Sequence, residues 1–251
     1  MYLRHLSLTH FRNYRSLELD FSGALTLLQG RNAQGKSNLL EAIYFLATAK
    51  PVQAGNEREV VDWRAGEEPI PYARIAATIE ERETADTEHA GRPLNLEILL
   101  TPREDGSGFR KQVKINGVPR RSMDLVGIMR AVLFMPEDIR LVDGSPGERR
   151  RYLDIALCQI DRAYGRALSQ YQKVVDQRNS LLRALREQRA NGSAPPAAED
   201  QLGFWDDQLV ALGSQIMVAR LAFLRQLEAD AQPLHAELSS GSEKLHLQYL
   251  P

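Results

Sequence analysis

The chain of 251 residues is 43% hydrophobic and carries 32 basic and 33 acidic side chains, for a net charge of −1. Such a chain can bury a sizeable core, and its balanced charge excludes a global field that would recruit nucleic acid or an anionic membrane. The single cysteine, Cys158, excludes an intramolecular disulfide and a cysteine-based zinc site. Neither a signal peptide nor an apolar run of about 18–20 residues is apparent, so we expect a cytoplasmic protein that does not enter a membrane.

The first half of the chain predicts a mixed α/β lobe over residues 1–117. Alternating apolar and polar residues between turn-forming residues predict strands. The predicted strands cover residues 2–8, 16–21, 24–30, 72–80, 94–100 and 110–117. The third of them, "ALTLLQG", leads into a glycine-rich loop. After the loop, "KSNLLEAIYFLAT" (residues 36–48) has the helix formers and the apolar face of a helix buried beneath a sheet.

The second half, residues 118–251, predicts a mainly helical lobe. Apolar side chains recur there at alternating steps of four and three, which is typical of packed helices. They are Tyr164, Leu168, Tyr171, Val175, Leu182 and Leu185, followed by Leu202, Trp205, Leu209, Leu212, Ile216, Ala219 and Phe223. Between the two series, "ANGSAPPAAED" (residues 190–200) has residues that end a helix, so we predict an antiparallel helical hairpin. The apolar stripe either packs this hairpin or binds a partner.

The glycine-rich loop matches the phosphate-binding pattern G-x-x-x-x-G-K-[ST] in full. Its residues are Gly30, Arg31, Asn32, Ala33, Gln34, Gly35, Lys36 and Ser37. The glycines permit a backbone path that directs N–H groups at phosphate oxygens, and the following helix adds the positive end of its dipole. Lys36 would bind the β- and γ-phosphates, and the Ser37 hydroxyl would ligate Mg²⁺. The sequence therefore predicts a site for ATP and Mg²⁺.

Four blocks of the sequence resemble the RecF family of bacterial DNA replication and repair proteins. They are "LTHFRNYRSLELDF", "GRNAQGKSNLLEAIYFLATAK", "VLFMPEDIRLVDGSPGERRRYLDIALCQID" and "YQKVVDQRNSLL". The third block, residues 132–161, is the most specific, because P-E-D, G-S-P and R-R-R-Y-L-D follow one another in that order. The resemblance extends to about residue 249. It implies an ABC-type ATPase head with a mixed sheet, similar to the heads of SMC proteins, and a helical lobe that bears the hairpin.

RecF proteins continue with an ABC signature and an acidic Walker B strand, and this sequence contains neither motif. "LSSGSE" (residues 238–243) and "VLFMPED" (residues 132–138) are superficially similar to them, but their places in the resemblance argue against both. Walker B acids hold Mg²⁺ and position the attacking water. We therefore predict that this chain binds ATP but scarcely hydrolyses it alone. For the intact protein, the resemblance implies an ATP-dependent homodimer and weak ATPase activity.

Three positions bear on how closely the family pattern is followed. Ser37 stands where threonine is more usual, and it preserves the hydroxyl that would ligate Mg²⁺. "AKPVQAG" (residues 49–55) contains no arginine where RecF proteins often have one, so the contact to phosphate or DNA that the resemblance implies for that arginine is not expected of this segment. Arg12, in the "FRNY" motif, would approach the nucleotide phosphates by resemblance to related heads. Alternatively, Arg12 is an arginine at the sheet edge that pairs with an acid.

The resemblance also implies a role in recombinational DNA repair, the SOS response to DNA damage and replication restart. The family binds gapped or junction DNA and works with RecO and RecR in loading RecA. Sequence-independent DNA binding requires clustered lysines or arginines. The candidates here are Arg120, Arg121, Arg149, Arg150 and Arg151. The second cluster opens a predicted helix, so its arginines could instead pair with Glu148 and Asp154.

Two other functions use the same loop. A free-standing P-loop kinase or NTPase would transfer phosphate to a small acceptor, and ATP affinity that depends on DNA would exclude it. A nonenzymatic SMC-like scaffold would extend its hairpin into a long coiled coil, whereas the predicted hairpin contains only about four to five heptads.

Overall fold

The computed structural model describes residues 2–52, 56–67, 71–80, 93–190 and 198–250. The chain forms two compact units, residues 1–139 and residues 140–251. The first unit thus continues past the predicted lobe boundary at residue 117, and that boundary stays a prediction. Each unit has its own core and is described by itself.

The first unit is built on a six-stranded sheet with the strand order β2-β1-β3-β4-β5-β6. Its strands are β1 (Tyr2–Phe11), β2 (Tyr14–Asp20), β3 (Ala73–Glu80), β4 (Leu94–Pro102), β5 (Phe109–Ile115) and β6 (Val118–Arg120). Every neighbouring pair within this sheet is antiparallel. The predicted α/β ATPase-head fold is confirmed, with an antiparallel sheet in the part of the chain that the structure describes.

One face of the sheet carries the core of the first unit. Leu6, Leu8, Ile75 and Ile98 are fully buried on this face, because successive residues of a strand point to opposite sides. Helix α1 (Lys36–Thr48) contacts β1, β3 and β4 and buries its own apolar side chains there. The helix predicted from the sequence is therefore confirmed at the predicted bounds.

The opposite face of the sheet carries polar pairs between neighbouring strands. The His5 imidazole on β1 lies 2.7 Å from the Glu18 carboxylate on β2. Further along the sheet, the Glu97 carboxylate accepts hydrogen bonds from Arg74 and Lys114, each at 2.8 Å. Burial raises the pKa of Glu97, but the hydrogen bonds from Lys114 and Arg74 outweigh it and leave that pKa lowered. This face is thus held by charged cross-strand pairs.

The segment that leads into the glycine-rich loop is not a strand. Residues 21–31 have no regular secondary structure, and Leu25 and Leu27 are 91% and 85% exposed. The predicted strand at residues 24–30 is therefore wrong. A strand needs a neighbour to satisfy its backbone N–H and C=O groups, and no described strand pairs with this segment.

Short elements complete the first unit. They are 3-10 helices at Glu57–Val60, Trp63–Glu67 and Pro136–Ile139, and helix α2 (Ser122–Leu125). Residues 131–135 have no regular structure, and Val132 and Phe134 are exposed. The segment "VLFMPED" therefore forms no strand in the part of the chain that the structure describes, and its interpretation stays a prediction.

The second unit is helical. Its helices are α3 (Arg140–Asp143), α4 (Pro146–Ile160), α5 (Arg162–Ala190) and α6 (Ala198–Leu238). The start of α4 is fixed by a capping box, in which Ser145 and Glu148 satisfy each other's backbone N–H groups, and Pro146 follows the cap. The hydrogen bond from the Ser145 N–H lowers the pKa of Glu148.

Helices α5 and α6 form the predicted antiparallel hairpin. Arg178 of α5 pairs with Asp206 near the start of α6, and Tyr164 at the start of α5 contacts Arg220 further along α6. The predicted connection at residues 190–200 lies largely outside the described residues. Most of the predicted apolar stripe packs this hairpin, with Ile216 at its buried centre.

A half-buried polar cluster joins α4, α5 and α6. The Arg220 guanidinium lies 2.6 Å from the Asp154 carboxylate, which also accepts a hydrogen bond from the Tyr164 hydroxyl. Burial, followed by the bond to Asp154, raises the pKa of Tyr164. Because these groups satisfy one another, the cluster fixes the mutual positions of the three helices.

Among the described helices, the Leu202–Leu238 part of α6 is long and apolar enough to cross a membrane by length and composition alone. No segment of this kind was expected from the sequence. The buried Ile216 and the Arg220–Asp154 ion pair show that the helix packs within a helical unit, as an apolar helix of a hairpin does.

Candidate nucleotide site

The phosphate-binding loop lies between the irregular segment and the first turn of α1. Ala33 and Gly35 adopt left-handed backbone conformations, with φ of 63° and 94°. A Cβ at Gly35 would also approach the Asn13 side chain to 2.5 Å, so this position requires glycine for two reasons. Helix α1 has no side-chain cap at its N-terminus, which leaves its first N–H groups available to an anion.

Lys36 lies at the start of α1 and folds over the loop. Its Nζ donates hydrogen bonds to the carbonyl oxygens of Gly30 and Arg31, at 2.8 and 2.7 Å. The ammonium group is therefore within the loop that it would serve. Arg31, Asn32, Ala33 and Gln34 are exposed, so the outer side of the loop is open to solvent.

The β1–β2 turn (residues 11–14) holds the loop from the side of the sheet. Asn13 donates to the Gln34 carbonyl at 3.3 Å and accepts from Asn38 of α1 at 2.8 Å. The Tyr14 hydroxyl donates to the Gly35 carbonyl at 3.1 Å, and burial raises the pKa of Tyr14. Neither residue was predicted from the sequence, although both stand beside Arg12 in the same "FRNY" motif.

Arg12 faces α1, and all three of its guanidinium nitrogens have partners. Its Nε and Nη2 donate to the two carboxylate oxygens of Glu41, both at 2.8 Å, and Nη1 donates to the Glu59 carbonyl at 2.9 Å. The Glu41 side chain is almost completely buried. The structure therefore has the acid pair that the sequence left open as an alternative. Contact between Arg12 and a nucleotide stays a prediction.

Ser37 is the predicted Mg²⁺ ligand, and this residue is exposed in the first turn of α1. The described residues contain no group of three or more His, Cys, Asp or Glu side chains that could hold a metal ion. Mg²⁺ usually binds through one or two protein ligands together with phosphate oxygens and water. A single hydroxyl beside a phosphate site fits that pattern, and no protein cage for the ion is described.

The two arginine clusters lie in different units. Arg120 ends β6 and Arg121 follows it, and both are exposed. In the second cluster, Arg149 donates to the Gly144 carbonyl at 2.9 Å, which gives this arginine a structural role. Arg150 and Arg151 are exposed.

The acids expected to pair with the second cluster have other partners. Asp154 pairs with Arg220, and Glu148 caps α4 and lies 3.9 Å from Arg140. The structure thus gives Asp154 a partner other than the adjacent arginines, whose pairing with it the sequence had left open as an alternative. DNA contact by either cluster stays a prediction.

The fold and the phosphate-binding loop together define an ABC-type ATPase head. The family model described as the RecF/RecN/SMC N terminal domain matches residues 2–248. The chain belongs to this family, which includes the predicted RecF type. This finding favours the RecF interpretation over a free-standing kinase.

Individual relatives narrow the comparison to RecF. The chain is 45% identical over 256 residues to the DNA replication and repair protein RecF of Chloroflexus aurantiacus, covering 99% of this chain and 62% of the relative. It is 45% identical over 258 residues to RecF of Roseiflexus castenholzii, with the same two coverages. The predicted resemblance to RecF is confirmed.

A solved structure agrees with this comparison. The ATP complex of the recombination mediator protein RecF of the RecFOR pathway matches with a TM-score of 0.84 and 30% identity. The match covers 99% of this chain and 60% of that chain. The chain thus spans about three fifths of the length of the relatives that it matches.

Proposed function

We propose that this chain binds ATP as the nucleotide-binding part of a RecF-type DNA replication and repair protein. The observation that carries the proposal is the loop geometry: a left-handed Gly35, the Lys36 ammonium group within the loop, and an α1 N-terminus without a side-chain cap. These groups complement a chain of phosphates. The matching structure of RecF with ATP supports the choice of nucleotide.

Mg²⁺ would be held by Ser37 together with the phosphates, and it would supply charge neutralisation at the β- and γ-phosphate oxygens. This chain supplies the hydroxyl but no Walker B acid in its sequence. It therefore binds ATP without a group to position an attacking water. We propose that this chain does not hydrolyse ATP alone, and that the intact protein forms an ATP-dependent homodimer.

The ATP proposal is tested by equilibrium binding of a fluorescent ATP analogue with Mg²⁺. The wild-type chain is expected to bind saturably, and Lys36→Ala to lose affinity by at least about tenfold because a charge-assisted contact is removed. Lys173→Ala, which changes an exposed lysine on α5, is the matched control. Equal affinity of wild type and Lys36→Ala, with both variants folded by circular dichroism, would contradict the proposal.

The relatives support a proposal for the cellular role. We infer that the intact protein binds gapped or junction DNA in the cytoplasm and assists RecA loading with RecO and RecR during recombinational repair and replication restart. Support comes from the relatives named DNA replication and repair proteins and from the RecFOR pathway named for the matching structure. On this chain, the exposed Arg120, Arg121, Arg150 and Arg151 are the candidate phosphate contacts.

DNA binding is tested by fluorescence anisotropy with a gapped duplex at several salt concentrations. An arginine that contacts a phosphate contributes about 0.9 to the slope of log affinity against log salt. Arg120→Ala and Arg150→Ala are each expected to reduce affinity and to reduce the slope by about that amount. Arg183→Ala, on an exposed position of α5, should leave both unchanged. Unchanged slopes in the first two variants would remove those residues from the interface.

A further inference from the structure

The β1–β2 turn, which contacts the phosphate-binding loop, has a strained backbone. His10, just before the turn, and Arg12, within it, adopt left-handed conformations with φ of 48° and 52°. Residues that carry a Cβ adopt this region at a cost, so the surrounding structure must hold these two residues in it. The same turn carries Asn13 and Tyr14, whose side chains bond the loop. The contacts that hold the turn therefore also determine where the loop lies.

Backbone hydrogen bonds to the turn come from residues 60–64. These residues connect the first two 3-10 helices of the unit. The Arg12 N–H donates to the Val60 carbonyl at 2.7 Å, and the Asp62 N–H donates to the His10 carbonyl at 2.8 Å. Val60 and Asp62 are both buried. The 60–64 segment thus holds the backbone at each of the two left-handed residues.

The side chains of Asp62 and Arg64 form a fixed pair within this segment. The Asp62 carboxylate is completely buried and accepts three hydrogen bonds from Arg64, from the backbone N–H at 3.0 Å, from Nε at 3.1 Å and from Nη2 at 2.9 Å. Burial raises the pKa of Asp62, but the hydrogen bonds from Arg64 outweigh it and leave that pKa lowered. The carboxylate is therefore charged at neutral pH, and it fixes the orientation of the guanidinium plane.

Arg64 also reaches beyond its ion pair. Its Nη2 donates to the Asn13 carbonyl at 3.3 Å, across 51 residues of sequence. The side-chain amide of the same Asn13 bonds the Gln34 carbonyl and the Asn38 side chain. An arginine that only neutralised Asp62 would not need the contact with Asn13. Hydrogen bonds thus run from the buried carboxylate through the guanidinium and Asn13 to the loop and to α1.

We propose that Arg64, anchored by Asp62, is a positioning residue of the nucleotide site, which acts on the phosphate-binding loop through Asn13. The proposal rests on the proposed function, since it assigns to Arg64 a share of the ATP affinity of this loop. Arg64 needs no contact with the nucleotide itself. It limits the motion of the turn, so that Gln34 and Gly35 already have their conformation when the phosphates arrive.

The first test needs no nucleotide. The side-chain amide signals of Asn13 and Asn38 are followed by NMR in the 251-residue chain labelled with ¹⁵N asparagine. Arg64→Ala is expected to shift and broaden both signals, because Asn13 loses the bond that holds its carbonyl. The Asn179 signal, from an exposed position of α5, is the internal control. Unshifted Asn13 and Asn38 signals in the folded variant would overturn the proposal.

The second test measures affinity for the fluorescent ATP analogue with Mg²⁺. Arg64→Ala is expected to raise the Kd by about three- to tenfold, since the loop must then become ordered on binding. Arg74→Ala is the matched control, because it removes a similar pair with Glu97 on the polar face of the sheet. The two arginine side chains are 41% and 38% exposed, and the control should leave the Kd unchanged. Equal losses of affinity would assign the effect to general destabilisation and would overturn the proposal.

Two further variants test the route through Asn13. Arg64→Lys keeps a positive charge beside Asp62 but lacks the planar fork that bonds Asp62 and Asn13 at once, so its affinity should stay lowered. In an Asn13→Ala background, Arg64→Ala should lower the affinity little further, because the route to the loop is already removed. Wild-type affinity of Arg64→Lys, or additive losses in the double variant, would overturn the proposal.

The outcomes separate the positioning role from the proposed function. A wild-type chain that does not bind the analogue would contradict ATP binding, and the NMR signals without nucleotide would still decide whether Arg64 positions the loop. Binding that is lost in Lys36→Ala but unchanged in Arg64→Ala would support the proposed function and overturn the positioning role.

Discussion

The antiparallel sheet and the segment before the phosphate-binding loop belong to the same unit, and the sequence predicts strands in both. Only the sheet forms them. Each buried leucine and isoleucine of the sheet faces a partner on the next strand, as Leu8 faces Ile75 and Ile75 faces Ile98. The segment at residues 21–31 has equally apolar side chains, but Leu25 and Leu27 remain exposed. A segment with strand propensity therefore forms a strand only where a neighbouring strand can pair with it.

The phosphate-binding loop keeps its form without a strand before it. Its contacts come instead from the β1–β2 turn and from α1, through Asn13, Tyr14 and the first turn of the helix. The side of the loop that faces the β1–β2 turn is thus held by hydrogen bonds from side chains, whereas residues 31–34 are exposed.

The largest difference between the two regions is expected from matched leucine substitutions. Leu100→Ala removes a fully buried side chain of β4 and should lower the free energy of unfolding by about 2–5 kcal/mol. Leu27→Ala, at an exposed position, should change it by no more than about 0.5 kcal/mol. Urea denaturation measures both. A loss of similar size in Leu27→Ala would show that the segment is packed in solution.

The buried ion pair between the turn and α1 is expected to have the next largest effect. Arg12→Ala leaves the Glu41 carboxylate buried without its bidentate partner, and should cost about 2–4 kcal/mol of unfolding free energy. Arg121→Ala breaks an exposed pair with Asp124 and should cost less than about 1 kcal/mol.

A double-mutant cycle completes this test. The double variant Arg12→Ala/Glu41→Ala should lose less free energy of unfolding than the two single variants lose together, since the second substitution removes the unpaired charge. Additive losses would show that the two side chains do not interact.

Gly35 tests whether the loop depends on its left-handed residue. Gly35→Ala introduces strain and a collision with Asn13, and should cost about 1–2 kcal/mol and weaken binding of the ATP analogue by more than tenfold. Gly106→Ala has the same backbone requirement, with φ of 69°, but meets no atom within 4 Å. The Gly106→Ala variant should therefore lose only the stability that the backbone strain costs, and it should bind the nucleotide normally. Normal binding by Gly35→Ala would contradict the predicted loop geometry.

The smallest effect is expected on the polar face of the sheet. The two ring nitrogens of His5 lie 2.8 Å from Asp20 and 2.7 Å from Glu18, and the hydrogen bond to Asp20 is the main cause that raises the pKa of His5 above 6.5. The resulting stabilisation is complete below pH 6.5 and is lost as the pH rises through the pKa of the folded state.

Titration of the His5 ring by NMR checks the direction of this shift. The difference in stability between wild type and His5→Gln should also shrink as the pH rises through the raised pKa. Because the group is near the surface, solvent screening keeps the effect below those of the preceding substitutions. A pKa at or below 6.5 would show that the two carboxylates do not hold the ring in solution.

The sequence predicts best those elements whose defining residues lie close together along the chain. The eight residues from Gly30 to Ser37 are contiguous, and a helix buried beneath a sheet repeats its apolar residues within a few turns. The hairpin of α5 and α6 was visible for the same reason. Each of these elements forms in the fold at or near its predicted place.

The parts that sequence did not predict depend on partners distant along the chain. Arg12 and Glu41 are separated by 29 residues, and nothing near Arg12 indicates which acid it meets. Asp154 pairs with Arg220, 66 residues away, rather than with the adjacent arginines.

The hydrogen bonds from Lys36 to the Gly30 and Arg31 carbonyls also bear on which ligands the loop accepts. A ligand that binds Lys36 must take the place of these two carbonyl oxygens. The carbonyl oxygens are uncharged, but they already accept good hydrogen bonds from the ammonium group. An uncharged ligand gains little from such an exchange, whereas a phosphate oxygen with full negative charge gains a stronger bond. The two hydrogen bonds of Lys36 therefore favour a negatively charged ligand over an uncharged one at this loop.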